Sequence, residues 1–90
     1  MPIDWNKVDE VTLALLKLTS FEDHGIVRSW KGHDWDVINR LHGEGWIHSP
    51  VGKAKSVALT DRGVEQSHTL FAKHFGVDEG AKYTRAGMGL

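Results

Sequence analysis

Near the start of the chain, apolar residues recur at three- and four-residue steps: Val8, Val11, Leu15 and Leu18. That spacing lines one side of an α-helix. Asp4 stands where a side-chain oxygen can cap the first turn, so the pattern predicts a helix from Trp5 with those four residues facing the core. At roughly 100° per residue, Leu13 projects about 160° away from Leu15, and Leu16 about 100°. The helix is thus apolar over a wider arc than one small core requires. Either it is sandwiched between other elements or it meets another chain.

Residues 20–33 carry less pattern. Glu22-Asp23-His24-Gly25 has the composition of a turn, Ile26 to Trp30 that of a short extended piece, and Lys31-Gly32-His33 interrupts again, so this stretch is expected to be irregular. Periodicity returns at residue 34. Asp34 is a candidate N-cap, Trp35, Ile38 and Leu41 form an apolar stripe with Val37 on its flank, and Gly43 and Gly45 stop the helix. Trp46 to Ser49 reads as a strand, Pro50 to Ala54 as a turn, and Ser56 to Leu59 as a return strand with Val57 and Leu59 on one side. Thr60 caps a last helix whose predicted inner face is Val64, Phe71 and Phe75 with His68 on the flank, and Gly76 ends it. Residues 77–90 lack a hydrophobic period, so the chain divides into a domain over 1–76 and a loosely ordered tail over 77–90.

Composition narrows the chemistry. The 90 residues include no cysteine, which removes disulfides, thiolate metal sites and cysteine nucleophiles and fits a reducing cytoplasm. The start Met1-Pro2-Ile3-Asp4-Trp5 lacks the basic and apolar runs of a signal peptide, and no apolar stretch approaches a membrane span. A net charge of −1 argues against a strong nucleic-acid binder, although residues 25–60 are mildly basic.

The order of parts from residue 34 to about 75, with its glycine stop, basic turn and Leu59-Thr60-Asp61-Arg62-Gly63 helix start, resembles the winged-helix half of bacterial regulators of the multiple-antibiotic-resistance and phenolic-acid-response types. More closely, Trp30-Lys31-Gly32-His33-Asp34-Trp35-Asp36-Val37, together with Gly52 to Val57 and Leu59-Thr60, is similar to a family of short bacterial proteins of unknown function over about Ile3 to Gly76. The resemblance implies a winged-helix-like fold and a bacterial origin, and no catalytic residue, ligand or partner comes with it. A helix-turn-helix needs a helix ahead of the recognition helix, and Gly25 to His33, with two glycines and little period, offers at most a single turn for it.

Candidate sites follow from these placements. On a recognition helix over 34–44, Asn39 and Arg40 would face outward and are types that read base edges, but Asp34 and Asp36 put negative charge where phosphate would lie. The simpler role for Arg40 is an ion pair with Asp36 one turn away. Lys53 and Lys55 flank the hairpin tip, and Arg28 and Lys31 join them if the preceding loop folds nearby. Four tryptophans exceed what one small core uses, and Trp5 and Trp30 are the best placed to remain at a surface. The six histidines lack metal-ligand spacing: His68 and His74 lie about 120° apart on one helix. Neither a nucleophile elbow nor a phosphate-binding glycine loop is present.

These observations predict an α/β, mostly α, winged-helix-like domain: an N-terminal helix, an irregular segment, a helix, a two-stranded wing and a C-terminal helix. The predicted function is a non-enzymatic protein-interaction or dimerisation module, without cofactor or metal, that pairs through Leu13, Leu16, Trp5 and Trp30 with a second copy or another protein. The alternative is a weak DNA-binding transcriptional regulator using Arg28, Lys31, Asn39, Arg40, Lys53 and Lys55.

Overall fold

The computed structural model describes residues 1–76. The expectation of a loose tail over 77–90 lies outside the described residues. The chain runs α1 (Trp5–Leu18), β1 (Phe21–Asp23), β2 (Ile26–Trp30), α2 (Trp35–Gly43), β3 (Ser56–Ala58) and α3 (Asp61–Phe75). The strands form one antiparallel sheet in the order β1-β2-β3. The fold is therefore mixed α/β, with three helices and a three-stranded sheet.

All three helix starts expected from the sequence are present. Asp4 accepts from the Lys7 N–H at 3.0 Å, Asp34 from the N–H groups of Asp36 and Val37 at 3.0 and 3.2 Å, and Thr60 from the Gly63 N–H at 2.9 Å. Each satisfies a donor that the first helical turn leaves unpaired. The end of α2 is equally local in origin. Gly45 adopts a φ of +79°, which lets its N–H reach the His42 carbonyl while the Trp46 N–H reaches that of Leu41. This paired arrangement closes a helix on a left-handed glycine and turns Trp46 back toward Leu41.

The region expected to be irregular is instead a β-hairpin. His24 and Gly25, at φ +52° and +77°, form the two-residue turn between Asp23 and Ile26, which face each other across the strands. Two consecutive left-handed residues match the twist of the flanking strands. The two-stranded wing is correspondingly reduced. Ser56, Val57 and Ala58 pair with Trp30, Ser29 and Arg28, while residues 46–49 contribute one bridge, Ile47 to Leu59, and a His48 N–H donated to the Ala58 carbonyl. Strand β3 uses both its edges: its pairing with β2 is a continuous three-residue ladder, whereas on the opposite edge the chain after Ile47 turns away through Pro50, which cannot donate to a ladder.

Helix α1 lies between α3 on one side and α2 and β2 on the other. Its buried residues are Asp9, Thr12, Leu13, Ala14 and Leu16, whereas Leu15 and Leu18 are 36% and 48% exposed. The predicted core face was thus rotated, and Leu13 and Leu16, expected at an interface with another chain, are fully buried within their own. Of the two explanations for the wide apolar arc, the sandwich is the one observed, since a helix covered on two sides needs apolar residues on both. Burial of each such leucine contributes about 1.5–3 kcal/mol.

Similar local rotations occur in the other helices. In α2, Val37, Ile38 and Leu41 are buried, and Trp35 is half exposed because it occupies the first helical position, at the edge of the core. In α3, the buried residues are Gly63, Ser67 and Leu70, with Val64 and Phe71 packed partly against the core and Phe75 and His68 exposed. Small residues mark that inner face because α3 approaches backbone: a Cβ on Gly63 would fall inside the Trp46 carbonyl.

Two measurements check this packing. Gly63→Ala is expected to lower the thermal midpoint by roughly 10 °C despite alanine's better helix propensity, since the clash is with backbone that cannot rotate away. Gly43→Ala, which meets open space, should be neutral or slightly stabilising. A Gly63→Ala midpoint at or above that of the wild type would contradict the close approach.

The second concerns the contact between α1 and α3, where Glu10 Oε1 accepts from Lys73 Nζ at 3.1 Å and lies 2.8 Å from His74 Nε2. The bond to His74, then that to Lys73, holds the Glu10 carboxyl below its usual range. A carboxyl lowered on folding stabilises the fold above its unfolded value and loses that contribution as pH falls through the folded value. The midpoint advantage of the wild type over Glu10→Gln should therefore be full at pH 7 and shrink below about pH 4. An advantage independent of pH would place the effect elsewhere.

Candidate binding surface

The alternation of β2 divides its side chains between two faces. Ser29 is buried and Val27 packs on the core, while Ile26, Arg28 and Trp30 point outward. The register then sets their neighbours: Phe21 stands opposite Arg28 on β1, and Ala58 and Ser56 stand opposite Arg28 and Trp30 on β3. The Phe21 and Trp30 rings meet on this outer face with centroids 5.7 Å apart and a 44° tilt. Phe21, Ile26 and Trp30 are 37%, 47% and 56% exposed. The sheet thus buries one face and leaves an aromatic face in solvent.

Four cations border it, in two distinct states. Arg28 reaches across to β3, donating from Nε to Ser56 Oγ at 2.8 Å and from Nη2 to the Ser56 carbonyl at 3.1 Å. Lys31 donates from Nζ to the Pro50 and Gly52 carbonyls and from its backbone N–H to the Lys55 carbonyl, folding the 50–55 loop against the end of β2. Lys53 and Lys55, carried on that loop, are exposed and have no ion-pair partner among the described residues. Lys31 thus reaches the loop of the turn and Arg28 reaches Ser56 after it, but both are committed to holding backbone carbonyls.

Arg40 is elsewhere, and it is tied down. It donates from Nε and Nη2 to the two carboxylate oxygens of Asp9 at 2.7 and 2.9 Å, clamping α2 to α1. These bonds raise its pKa further above its already high ordinary value. The guanidinium also lies 5.4 Å from the centre of the Trp5 ring. The predicted ion pair with Asp36 is therefore replaced by a tertiary one with Asp9, because a forked guanidinium gains two aligned bonds from a carboxylate facing it across the helix pair. Asn39 is exposed beside it, and α2 presents no free arginine to a base edge.

Of the expected interface residues, Trp5 and Trp30 are exposed, at 54% and 56%, and Leu13 and Leu16 are not. Trp5 and Trp30 belong to different parts of the fold, α1 and β2. Phe21, Ile26, Asp9 and Ser56 were missed. The first two became legible only with the hairpin, for which His24-Gly25 is a weaker signal than Asn-Gly or Asp-Gly. A carboxylate at position 9 inside an apolar arc was the available sign of a buried partner.

Among the described residues no group of three or more histidine, aspartate, glutamate or cysteine side chains could hold a metal ion. No helix among them is long and apolar enough to cross a membrane.

Residues 4–77, from the cap of α1 to just past the end of α3, match the family described as "Domain of unknown function (DUF6429)". The chain belongs to this family. An uncharacterized protein, y4hR, of Sinorhizobium fredii is 47% identical over 75 residues, covering 83% of this chain and 97% of that protein. The DUF6429 match and this bacterial relative agree with the similarity carried by Trp30 to Val37 and Gly52 to Val57. No solved structure matches the chain.

The two states of the bordering cations can be told apart by stability. Removing Arg28 or Lys31 by alanine substitution should each cost about 1 kcal/mol, a midpoint loss of about 4–8 °C, because carbonyls or hydroxyls lose their donors. The double substitution Lys53→Ala with Lys55→Ala should fall within about 0.5 kcal/mol of wild type. Equal effects across the four would show that the loop is not held as described.

Proposed function

We propose that this protein is a non-enzymatic binding module that docks a macromolecular partner on the outer face of its β1-β2-β3 sheet. The observation that carries the reading is the exposed cluster of Phe21, Ile26 and Trp30 on one face of a sheet whose other face is already the core. A small domain gains nothing in stability by holding large apolar side chains in water, and contiguous exposed apolar surface marks interaction sites. Tryptophan and arginine, adjacent here on β2, are also the residue types that dominate interface energetics. The reading replaces pairing through α1, since Leu13 and Leu16 are consumed within the chain.

In architecture, the module reads as winged-helix-like with the brace helix replaced by the β1–β2 hairpin. Helix α2 is then followed by a single bridge and the Lys31-anchored loop where a full wing would stand. Its cysteine-free composition suits a reducing cytoplasm.

The test is recovery of bound macromolecules from a bacterial lysate by wild type and by the double variant Ile26→Thr with Trp30→Thr, whose β-branched replacements keep strand propensity. The variant should retain the circular dichroism spectrum of the wild type and lose the bound protein or nucleic acid. Equal recovery by a folded variant would overturn the reading.

A further inference from the structure

Resting on that docking face, we propose that its partner is a single-stranded nucleic acid, with unpaired bases stacked on Trp30 and Phe21 and the backbone held by Lys53 and Lys55. Two adjacent, partly exposed rings on one face of the sheet can offer π-surface to planar groups. Stacking on aromatic side chains next to a cationic track is the general way in which single strands are bound without sequence readout. The cations are placed for it. Trp30 pairs with Ser56, immediately after Lys55, and the Lys31 anchors bring the 50–55 loop to the same end of the sheet, so the loop that carries both lysines, unpaired among the described residues, lies at the end of the sheet that carries Trp30. Arg28, although bonded to Ser56 on β3, adds fixed positive charge to the outer face two residues before Trp30.

The acidic residues of the hairpin lie toward its other end or its other face. Asp23 is beside the turn, opposite Ile26, with its carboxylate 2.8 Å from His24 Nδ1, and Glu22 pairs with Val27, whose side chain turns to the core. The outer face thus carries Asp23 at the turn and Arg28 before Trp30, with the lysine-bearing loop at the Trp30 end, an arrangement that a net charge of −1 for the whole chain conceals. A duplex would meet only the cations, because its bases are stacked on each other. An acidic protein segment would likewise satisfy the lysines and leave the ring faces to general apolar contact. Unpaired bases on a phosphate backbone use both features at once.

Fluorescence anisotropy with a labelled mixed-sequence deoxyoligonucleotide of about a dozen nucleotides tests the assignment, alongside the same sequence as duplex and a glutamate-rich peptide of equal charge. The single strand should bind more tightly than either comparator. Trp30→Leu should weaken it by about 5- to 150-fold, the span expected for removing one stacked base. The Lys53→Ala, Lys55→Ala pair should flatten the dependence of log affinity on log salt by about 1.4, since each single-strand phosphate left without its lysine lowers the slope by roughly 0.7. Preference for the duplex, or binding that ignores Trp30→Leu in a folded protein, would overturn the proposal. Tighter binding of the acidic peptide would assign the face to a protein instead. If no oligonucleotide binds while lysate capture still depends on Ile26 and Trp30, the docking face stands and the nucleic acid does not. Should Trp30→Leu fail to fold, the strand-versus-duplex preference and the lysine salt slope decide the matter without it.

Discussion

The close approach of Gly63 to the Trp46 backbone fixes the relation between the two halves of this domain. Around that contact, Thr60 makes four bonds: its side chain accepts from the Gly63 N–H, its hydroxyl donates to the Gly45 carbonyl at 2.6 Å, its N–H donates to the Trp46 carbonyl at 3.1 Å, and its carbonyl accepts from the Val64 N–H at 2.8 Å. The end of α2 and the start of α3 are thereby one unit. The Ile47 to Leu59 bridge continues the contact into the sheet, and Ile47 and Leu59 are both buried core residues. A side chain at position 63 would separate the strands of this junction, and with them the floor on which α1 packs.

Helix α1 then closes the structure from above, and its polar grip is divided between consecutive residues. Asp9 holds Arg40 on α2, and Glu10 holds Lys73 and His74 on α3. Neighbouring positions on a helix point about 100° apart, so a helix lying in the groove between two others can present one carboxylate to each. The apolar residues between and beyond them, Leu13, Ala14 and Leu16, complete the core. Burial supplies most of the energy here, while the charged pairs specify which side of α1 meets which helix.

With the inner face of the sheet turned to the core, no other element among the described residues covers its outer face. Three strands of three to five residues cannot wrap onto themselves, and the hairpin turn holds Phe21 beside Trp30 regardless. The exposed aromatic cluster is thus a consequence of layering: one helical layer, one sheet, and one free surface. Beside it lie an arginine held in place by Ser56 and the loop that carries Lys53 and Lys55, which have no ion-pair partner among the described residues.

Local chemistry made some parts legible from the sequence alone. Asp4, Asp34 and Thr60 announce helix starts because capping involves only residues two or three apart, and Gly45 announces a stop because its left-handed φ suits no other residue as well. Membership of a bacterial family of unknown function was also legible in the sequence. Which face of a helix is inside was another matter. Val8, Val11, Leu15 and Leu18 show a sound helical period, yet Leu13 and Leu16 are the buried leucines, because a helix apolar over a wide arc can be rotated either way and only its neighbours choose. Strand pairing was decided at the same level. Strand β3 pairs with residues 46–48 on one edge and with β2 on the other, and the second pairing depends on a hairpin whose His-Gly turn carries a weak local signal. The same distance in sequence hid Arg40 from Asp9 and Lys31 from Lys55: caps are written within one turn of chain, whereas partners this far apart are selected only when the layers assemble.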